Sequence, residues 1–406
     1  MSMKKLMILS LLLCFTACSK AQNTAEPAKV SETEMVHSAP ILTGDLRTEA
    51  YFPLLEGKRI GVYSNQTGMA GDEHVVDLLQ RSGFNIVYIL SPEHGFRGDA
   101  DAGEKVDNSV DAKTGLPIIS LYGQQGGKPD AKTMQQVDVL VMDIQDVGLR
   151  FYTYYITMCR LMDACAEQSK ELIILDRPNP NGMYVDGPIL DMKHKSGVGW
   201  LPIPVVHGMT LGELAQMVNG EKWLPQGRQC KLTVIPCANY THQSRYELTI
   251  APSPNLPNMK SIYLYPSTCL FEGTVMSLGR GTDKPFQIYG HPQMKDQPFS
   301  FTPQSKPGAT NPPQKGKLCY GKDLSALEDE AIIQGGLNLD YVIDAYQNLK
   351  MGDKFFTTFF EKLIGVDYVR QMIKQGKSAE EIKARWKPDV EKFKEQRKPY
   401  LLYEER

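Results

Sequence analysis

Two apolar stretches that end abruptly in ionisable side chains constrain the fold of this chain more than any other feature of its sequence. Residues 137–152, VDVLVMDIQDVGLRFY, begin as a buried strand and continue into acids, an amide, an arginine and a tyrosine. Residues 85–98, NIVYILSPEHGFRG, follow the same plan. Short apolar runs bounded by Gly or Pro are typical of buried strands. Open α/β sheets bind their ligands at such strand ends, so the sequence predicts a site there.

Strand patterns alternate with helix patterns through the first half of the chain. The predicted strands cover residues 58–63, 86–90, 117–121, 138–142, 171–175 and 231–235. The predicted helices begin at Asp72, at Asp130, near Tyr152 and at Thr210, which forms a capping-box pattern with Glu213. This alternation predicts an α/β fold with a doubly wound, mostly parallel sheet and right-handed crossovers. The loops that carry polar side chains then gather at one edge of the sheet.

The character of the sequence changes near Tyr240, which predicts a second domain. Prolines and aromatic residues become frequent, and we expect residues 261–290 to be extended. Helix patterns return at residues 341–349, 355–364, 366–375 and 378–386, the last with a capping box at Ser378 and Glu381. We therefore predict a larger α/β domain over residues 44–240 and a smaller α+β domain over residues 241–406.

Residues 1–18 are interpreted as a secretion signal, because two lysines, a short apolar core and small residues precede Cys18. The apolar run is too short to span a bilayer comfortably. Residues 15–18, FTAC, resemble a bacterial lipobox, which implies lipidation of Cys18 and a periplasmic protein that a lipid anchor holds to the cell envelope. An ordinary signal that is cleaved nearby is the alternative. Residues 19–43 are predicted to be a flexible tether.

Composition and absent motifs exclude several classes of function. The net charge of -2 and the lack of a basic cluster argue against a nucleic-acid partner. No GxGxxG motif follows a predicted strand, and GQQGGKP at residues 123–129 lacks the spacing of a P-loop. Neither a GxSxG elbow nor an HExxH motif is present. The cysteines that follow the signal lack zinc-ligand spacing, so we predict no metal and no cofactor.

The polar residues at the predicted strand ends form the candidate site. Side chains of these types recognise sugar hydroxyls, and glycosidic cleavage needs a pair of carboxyl groups. Glu93 is the strongest candidate because it follows a proline in a glycine-bounded loop. Strand-end aspartates such as Asp143 and Asp176 can equally cap neighbouring loops. The full set is Asn65, Gln66, Glu93, His94, Arg97, Asp143, Gln145, Asp146, Arg150, Tyr152, Asp176, Arg177 and Asn179.

Six motifs along the chain resemble those of one family. They are SNQTG at 64–68, SPEHGFRG at 91–98, DIQDVGLRFYTY at 143–154, DRPNPNG at 176–182, HGMTLGELA at 207–215 and FEGTVMSLGRGTDKPFQIYG at 271–290. Together they resemble the exo-acting β-N-acetylmuramidases of the NamZ type over nearly the whole mature chain. The resemblance implies a Rossmann-like domain joined to a smaller domain, an active cleft between the two, and no nicotinamide cofactor.

The resemblance also implies an activity, the removal of N-acetylmuramic acid (MurNAc) from the non-reducing end of peptidoglycan fragments. By the same resemblance Glu93 is the general acid, a role that requires a raised pKa. The second catalytic group stays open among Asp143, Asp146 and Glu272, the last of which comes from the second domain. The separation of the two carboxyl groups distinguishes retention from inversion of configuration, and a sequence alone does not provide that distance.

The implied substrate carries a lactyl carboxylate, which arginines can bind through two N–H groups at once. Arg97, Arg150, Arg177 and Arg280 lie in the family-like motifs, and we expect at least one of them to contact this group. His207 is expected to bind sugar or orient a carboxylate, with a structural role beside the helix start equally open. Two other functions also stay open. One is a non-catalytic lipoprotein that binds muropeptides or other glycans, and the other is a cell-wall esterase or amidase, which the missing nucleophile elbow disfavours.

Overall fold

The computed structural model of the chain describes residues 39–92, 96, 109–121 and 127–405. Strands and helices alternate through the first half of this part of the chain, and helices dominate the second half. The strands are β1 (Arg59–Ser64), β2 (Met69–Ala70), β3 (Glu73–His74), β4 (Asn85–Ser91), β5 (Ser109–Val110), β6 (Pro117–Ser120), β7 (Val139–Asp143), β8 (Glu171–Leu175), β9 (Lys231–Ile235), β10 (Ile288–His291), β11 (Phe299–Phe301) and β12 (Cys319–Asp323). The α-helices are α1 (Thr48–Leu55), α2 (Val75–Arg81), α3 (Ala131–Gln135), α4 (Tyr154–Glu167), α5 (Leu211–Gly220), α6 (Met259–Thr268), α7 (Asp329–Gly335), α8 (Asp340–Leu349), α9 (Phe359–Ile364), α10 (Tyr368–Lys374) and α11 (Ala379–Arg397).

One sheet contains seven of these strands, in the order β5-β6-β4-β1-β7-β8-β9. Every neighbouring pair in it is parallel except β5 and β6, which are antiparallel. Numbered along the chain, the parallel strands lie in the order 3-2-1-4-5-6, which is that of a Rossmann sheet. The predicted Rossmann-like α/β fold is therefore confirmed.

Helices cover both faces of this sheet, and the side chains of β7 show how they are divided. Val139 and Val141 pack on the face where Leu79 of α2 lies. Leu140 and Met142 point to the opposite face and pack against α4 and α5. Successive side chains of a strand point to opposite faces, so a strand that is covered on both sides reads as a continuous apolar run. This is why the apolar stretch before Asp143 predicted a buried strand.

Helix α2 begins at Val75 and not at Asp72 as predicted. The residues between them belong to a short hairpin, in which β2 pairs antiparallel with β3. The side chain of His74 then caps the helix, because its Nδ1 accepts a hydrogen bond from the Val76 N–H at 3.2 Å. A histidine is an uncommon cap, which explains why the sequence pattern placed the start of the helix at the aspartate.

The prediction that residues 261–290 are extended is wrong at its beginning, because Met259–Thr268 form helix α6. Asn258 caps this helix, and its side chain accepts a hydrogen bond from the Ser261 N–H at 2.9 Å. Every residue of 261–268 is buried. A helix that is buried on all sides has no amphipathic period, so its apolar residues cannot be distinguished from those of a strand.

The second half of the chain contains a separate antiparallel sheet, in the order β10-β12-β11, and the helices α7 to α11. Both predicted capping boxes are present, at Thr210 with Glu213 and at Ser378 with Glu381. Pro40–Arg406 form one compact unit. The domain boundary placed at residue 240 stays a prediction. None of the helices in the described ranges is long and apolar enough to cross a membrane.

Candidate active site

The predicted strand ends meet at the point where the order of the sheet reverses. Strands β1 and β7 are neighbours there, and Ser64 at the end of β1 lies opposite Asp143 at the end of β7. The chain leaves these two strands towards opposite sides of the sheet, which opens a crevice at their carboxyl ends. The loops 64–68 and 143–150 begin at this crevice, so they bring the first group of candidate residues together.

Hydrogen bonds lock these two loops to each other. The Asn65 Oδ1 accepts hydrogen bonds from the Thr67 N–H at 3.0 Å and from the Thr67 hydroxyl at 2.6 Å. The Thr67 Oγ1 in turn accepts the N–H of Gln145 at 2.9 Å. The Asn65 amide donates to the Tyr154 hydroxyl at 3.0 Å, and the Gln66 amide donates to the carbonyl of Ala251 at 3.2 Å. Asn65 therefore braces the crevice, and its predicted contact with substrate stays a prediction.

Arg177 lies between two buried carboxylates. Its Nε donates to Asp143 Oδ1 at 2.6 Å, and its Nη2 contacts Asp45 Oδ2 at 2.5 Å. Burial, together with the charge of Asp143, raises the pKa of Asp45 to about 6, and burial also raises the pKa of Asp143, while Arg177 opposes both shifts. Arg177 and Gln145 also line an open depression of about 150 Å³. This position is compatible with a contact between these two side chains and a saccharide, which stays a prediction.

Asp146 is a buried carboxyl group with one unused oxygen. Its Oδ1 accepts the N–H of Gly148 at 2.7 Å, whereas its Oδ2 has no hydrogen-bond partner. Burial raises the pKa of Asp146 to about 7. Gly148 has a φ of +76°, and a Cβ atom there would lie 2.2 Å from the side chain of Asn179. Only glycine fits this turn, which holds a carboxyl group that can exchange a proton near neutral pH.

Asp176 and Asn179 stabilise the end of β8 through contacts within the protein. Asp176 accepts hydrogen bonds from the hydroxyls of Thr210 and Tyr403, both at 2.6 Å, and from the N–H of Gly212 at 2.9 Å. Burial raises the pKa of Asp176 to about 6 against these bonds. The Asn179 amide donates to a backbone carbonyl at 2.9 Å. These contacts join the end of β8 to α5 and to Tyr403. The described bonds of both side chains are to the protein itself, and their predicted contact with substrate stays a prediction.

Arg150 is fully buried, and four backbone carbonyls accept its N–H groups at 2.8–3.0 Å. The acceptors are Pro188, Ile203, Leu363 and Ile364. Burial lowers the pKa of Arg150 to about 10. The guanidinium thus joins loops of the first half of the chain to α9, and these contacts do not favour its predicted role as a ligand of the lactyl carboxylate.

His207 is buried, and its ring is held beside the start of α5. Its Nδ1 accepts the Met209 N–H at 3.2 Å, while its Nε2 has no partner. Burial and the neighbouring Arg397 lower the pKa of His207 to about 3, so the ring is neutral at physiological pH. This geometry fits the structural role that the sequence left open, and sugar binding by His207 stays a prediction.

A row of aromatic rings connects the β7 loop with the second half of the chain. Successive ring centroids are 4.8 Å apart for Tyr154 and Tyr152, 6.4 Å for Tyr152 and Tyr265, and 4.6 Å for Tyr265 and Phe286. The Arg280 guanidinium lies 5.1 Å from the Phe286 ring. Arg280 also pairs with Glu272 at 2.7 Å, and both side chains are 24% exposed. Glu272 and Arg280 are therefore accessible to solvent. The row of aromatic rings connects them with Tyr152, and the Tyr152 hydroxyl donates to the Pro252 carbonyl at 2.8 Å.

Within the ranges that the structure describes, no group of three or more His, Cys, Asp or Glu side chains could hold a metal ion. The six cysteines there are buried free thiols.

Comparisons with known proteins identify the family. Residues 60–260 match the N-terminal family profile of the exo-β-N-acetylmuramidase NamZ, and residues 263–403 match its C-terminal profile. The peptidoglycan β-N-acetylmuramidase NamZ of Bacillus subtilis strain 168 is 37% identical over 396 residues, which cover 92% of this chain and 94% of that protein. The chain belongs to the NamZ family. It is therefore an enzyme of the glycoside hydrolase class.

Two solved structures of DUF1343 family proteins from Bacteroides fragilis NCTC 9343 share the fold of this NamZ-family chain. One is 64% identical with a TM-score of 0.86, and the other is 29% identical with a TM-score of 0.77. In both comparisons the match covers 90% of this chain and 99% of the other.

Three predicted residues of this NamZ-family site, Glu93, His94 and Arg97, lie outside the described residues, as does the predicted lipidation site Cys18. The strand that leads to Glu93 is described. It ends at Ser91, whose carbonyl accepts the Leu121 N–H at 3.0 Å, and it lies directly beside β1.

The sequence analysis missed two residues at this edge, Asp45 and Tyr265. Asp45 is the second carboxylate of Arg177, but it lies next to the predicted tether and more than a hundred residues from its partner in the chain. Tyr265 belongs to α6, which was predicted to be extended. A signal was present for Asp45, because Thr43 and Asp45 have the spacing of a local side-chain turn and the Thr43 hydroxyl does donate to that carboxylate.

Proposed function

We propose that this enzyme releases MurNAc from the non-reducing end of peptidoglycan fragments by carboxylate acid/base catalysis. The name of the Bacillus subtilis relative, which describes a peptidoglycan β-N-acetylmuramidase, supports the substrate class at 37% identity. Acidic side chains at the switch point of the sheet support the chemistry, because glycosidic cleavage needs one carboxyl group to protonate the leaving oxygen and another to attack or to activate water.

Glu93 is the proposed general acid. Its support is the resemblance of its motif to that of the family and the position of the strand before it. Strand β4 is the neighbour of β1, and Ser91 at its end precedes Glu93 by two residues. The carboxyl ends of β4, β1 and β7 lie side by side at the crevice, where an open α/β sheet binds its ligand.

Asp146 is the proposed second group, and one observation favours it over the alternatives. Asp143 is engaged through both oxygens by Arg177, at 2.6 and 3.0 Å. Asp146 keeps one oxygen without a partner, and its pKa of about 7 suits a group that gains and loses a proton near neutral pH. Glu272 is the runner-up because its side chain is accessible, although Arg280 holds one of its oxygens at 2.7 Å.

The acid is tested by Glu93→Gln on a MurNAc-terminated disaccharide, with released MurNAc measured by chromatography. Removal of a general acid is expected to lower turnover by about 100-fold or more, while the unfolding midpoint stays unchanged. Glu56→Gln is the matched control, since this exposed acid lies at the end of α1 and is expected to have normal turnover. Near-normal turnover of the Glu93 variant would remove this residue from the mechanism. Binding of the disaccharide by the wild type without release of MurNAc would overturn the proposed activity.

The second group is tested by comparing Asp146→Asn with Glu272→Gln. If Asp146 exchanges the proton, its variant loses turnover and the limb of the pH–rate profile near pH 7, whereas the Glu272 variant keeps that limb. The reverse pattern would assign the role to Glu272. Release of lactate or peptide with the glycan intact would instead indicate an esterase or amidase.

We also propose that lipidation of Cys18 holds the enzyme in the periplasm. The support is the lipobox-like sequence at residues 15–18, which lies outside the described residues. Cells fed a labelled fatty acid should label the wild-type protein and not Cys18→Ala. Equal labelling of both proteins would place the lipid at a residue other than Cys18, and absence of label from the wild type would refute the anchor.

A further inference from the structure

Two cations lie against one indole ring beside helix α4. The Arg160 guanidinium is 5.3 Å from the centroid of the Trp200 ring, and the Lys195 ammonium is 3.9 Å from it. The Trp200 backbone N–H donates to the Tyr155 hydroxyl at 2.9 Å, which fixes the loop that carries the ring against the helix. We call these three side chains, Arg160, Lys195 and Trp200, the cation pair site.

Neither cation of this site has a carboxylate partner among the residues that the structure describes. Other lysines behave differently, since Lys128 pairs with Asp163 and Lys193 pairs with Asp367. Burial lowers the pKa of Arg160, and the other groups that act on it are a cysteine and a tyrosine, not a carboxylate. Two like charges that share one ring without a counter-charge form a site that an anion would stabilise.

The cation pair site lies next to the edge of the sheet that carries the proposed active site. A Cβ atom added to Gly127 would lie 2.7 Å from Arg160 Nη1 and 3.3 Å from the carbonyl oxygen of Leu121. Leu121 is the residue whose N–H binds Ser91, at the end of the strand that leads to Glu93. Tyr63 lies close to both the proposed active site and the cation pair site. Burial is the main cause of its raised pKa, and smaller effects come from both sites, since Asp146 raises this pKa and Arg160 lowers it.

We propose that Arg160 and Lys195, supported by Trp200, bind a carboxylate of the saccharide substrate. The inference rests on the proposed function, because it names the group of the MurNAc-containing substrate that this enzyme recognises. Arg150 and Arg177 are engaged by carbonyls and carboxylates inside the protein, and Arg280 pairs with Glu272. Arg160 makes no such contact with the residues that the structure describes, so its N–H groups can bind a ligand. Two carboxylates fit this chemistry, that of the lactyl group and that of a stem peptide attached to it.

Substrate analogues separate these two sources. The substrates are a MurNAc-terminated disaccharide, its lactyl methyl ester and its lactyl-linked dipeptide with a free carboxylate. Arg160→Gln is expected to lower kcat/KM about 10- to 100-fold, mainly through KM, for the substrate whose carboxylate it binds, because a charge-assisted hydrogen bond is lost. A loss on the free acid that is absent on the ester assigns the lactyl group. A loss on the dipeptide alone assigns the stem peptide. Lys195→Gln should show the same pattern with a smaller loss.

Arg385→Gln is the matched control, since its guanidinium lies 4.3 Å from the Tyr368 ring at a different place in the fold. It should leave all three substrates unchanged. An equal loss on acid, ester and dipeptide, or no loss on any, would overturn the proposal while the hydrolytic function stands.

Binding of free sugars makes the test independent of turnover. By calorimetry, Arg160→Gln should weaken binding of MurNAc, or of MurNAc-dipeptide, about 10-fold or more and leave binding of N-acetylglucosamine unchanged. If the wild-type enzyme released no MurNAc, the proposed function would fail, and this binding difference would still decide whether the carboxylate site exists. Identical affinities of wild type and variant for both acids would remove it.

Discussion

Asp146→Asn should make the protein more stable at neutral pH and leave its stability nearly unchanged in acid. Asparagine keeps the oxygen that accepts the Gly148 N–H at 2.7 Å and replaces only the Oδ2, which has no partner. The substitution therefore removes a buried group that can ionise without removing a described hydrogen bond. Its effect on the free energy of unfolding follows from the difference in pKa between the folded and the unfolded chain.

The sign and size of this effect follow from the raised pKa. Burial moves the pKa of Asp146 from its ordinary 3.8 to about 7 in the folded protein. Between these values the folded state binds more protons than the unfolded state, so the wild type loses stability as the pH rises from about 4 to 7. Each pKa unit corresponds to about 1.4 kcal/mol, so the full loss is roughly 4 kcal/mol. Above pH 7 the variant should be more stable than the wild type by up to that amount.

Urea unfolding followed by circular dichroism at pH 4.5, 6 and 8 measures this difference, because the titration of all other groups cancels between the two proteins. Asp138→Asn is a control of opposite sign. Hydrogen bonds from Arg59 hold the pKa of Asp138 below its usual range, so that carboxylate stabilises the fold above its unfolded pKa and loses this effect in acid. A stability difference between wild type and Asp146→Asn that stays constant across the pH range would refute the buried, raised pKa of Asp146.

Three further substitutions test the contacts that brace the site, each by urea unfolding. Arg150→Met removes the guanidinium donor from four backbone carbonyls, of which Ile203 keeps the Leu190 N–H at 3.2 Å, and should cost about 3 kcal/mol or more; a loss below about 1 kcal/mol would contradict the bracing role. Arg177→Met leaves Asp143 and Asp45 uncompensated and should cost about 3–5 kcal/mol at pH 8. Because both acids then protonate readily, that loss should shrink towards pH 4, and a loss independent of pH would argue against the pair. Tyr403→Phe removes a donor to Asp176 and the acceptor of the Cys237 N–H and should cost about 1–3 kcal/mol, so an unchanged midpoint would show that these bonds contribute nothing.

The six parallel strands of the large sheet could be predicted closely because their signals are local, whereas the short strands β2, β3 and β5 and the sheet of β10–β12 were not predicted. Strands β8 and β9 have the predicted bounds, Glu171–Leu175 and Lys231–Ile235, since each is an apolar run between polar or glycine-containing segments. Helix α6 could not be predicted in the same way, because burial on all of its sides removes the period that marks a helix. The cap of α2 was misplaced because tertiary pairing in a hairpin took up the residues before it.

The location of the site could be predicted from the sequence, whereas most roles within it could not. Carboxyl ends of parallel strands meet by topology, so Asp143 and Asp176 had to lie at one edge. What each side chain does there depends on partners that are remote in the chain. Arg150 receives acceptors from α9, and Asp176 receives a donor from Tyr403. Sequence patterns show the type of a side chain at a strand end but not whether a distant segment satisfies it.

The carboxyl groups at this edge differ in whether both of their oxygens have hydrogen-bond partners. This difference separates the acids that stabilise the fold from the one that we propose to react. Asp176 accepts three hydrogen bonds, and Asp143 is held by Arg177 through both oxygens. Asp146 has one oxygen unused and a pKa of about 7, so asparagine would serve the fold as well or better. A buried carboxyl group that destabilises the folded state above pH 4 has no structural reason to be an acid. Hydrogen bonding within the protein also distinguishes Arg160 from Arg150, because Arg150 donates its N–H groups to four backbone carbonyls and Arg160 has no such acceptor among the described residues.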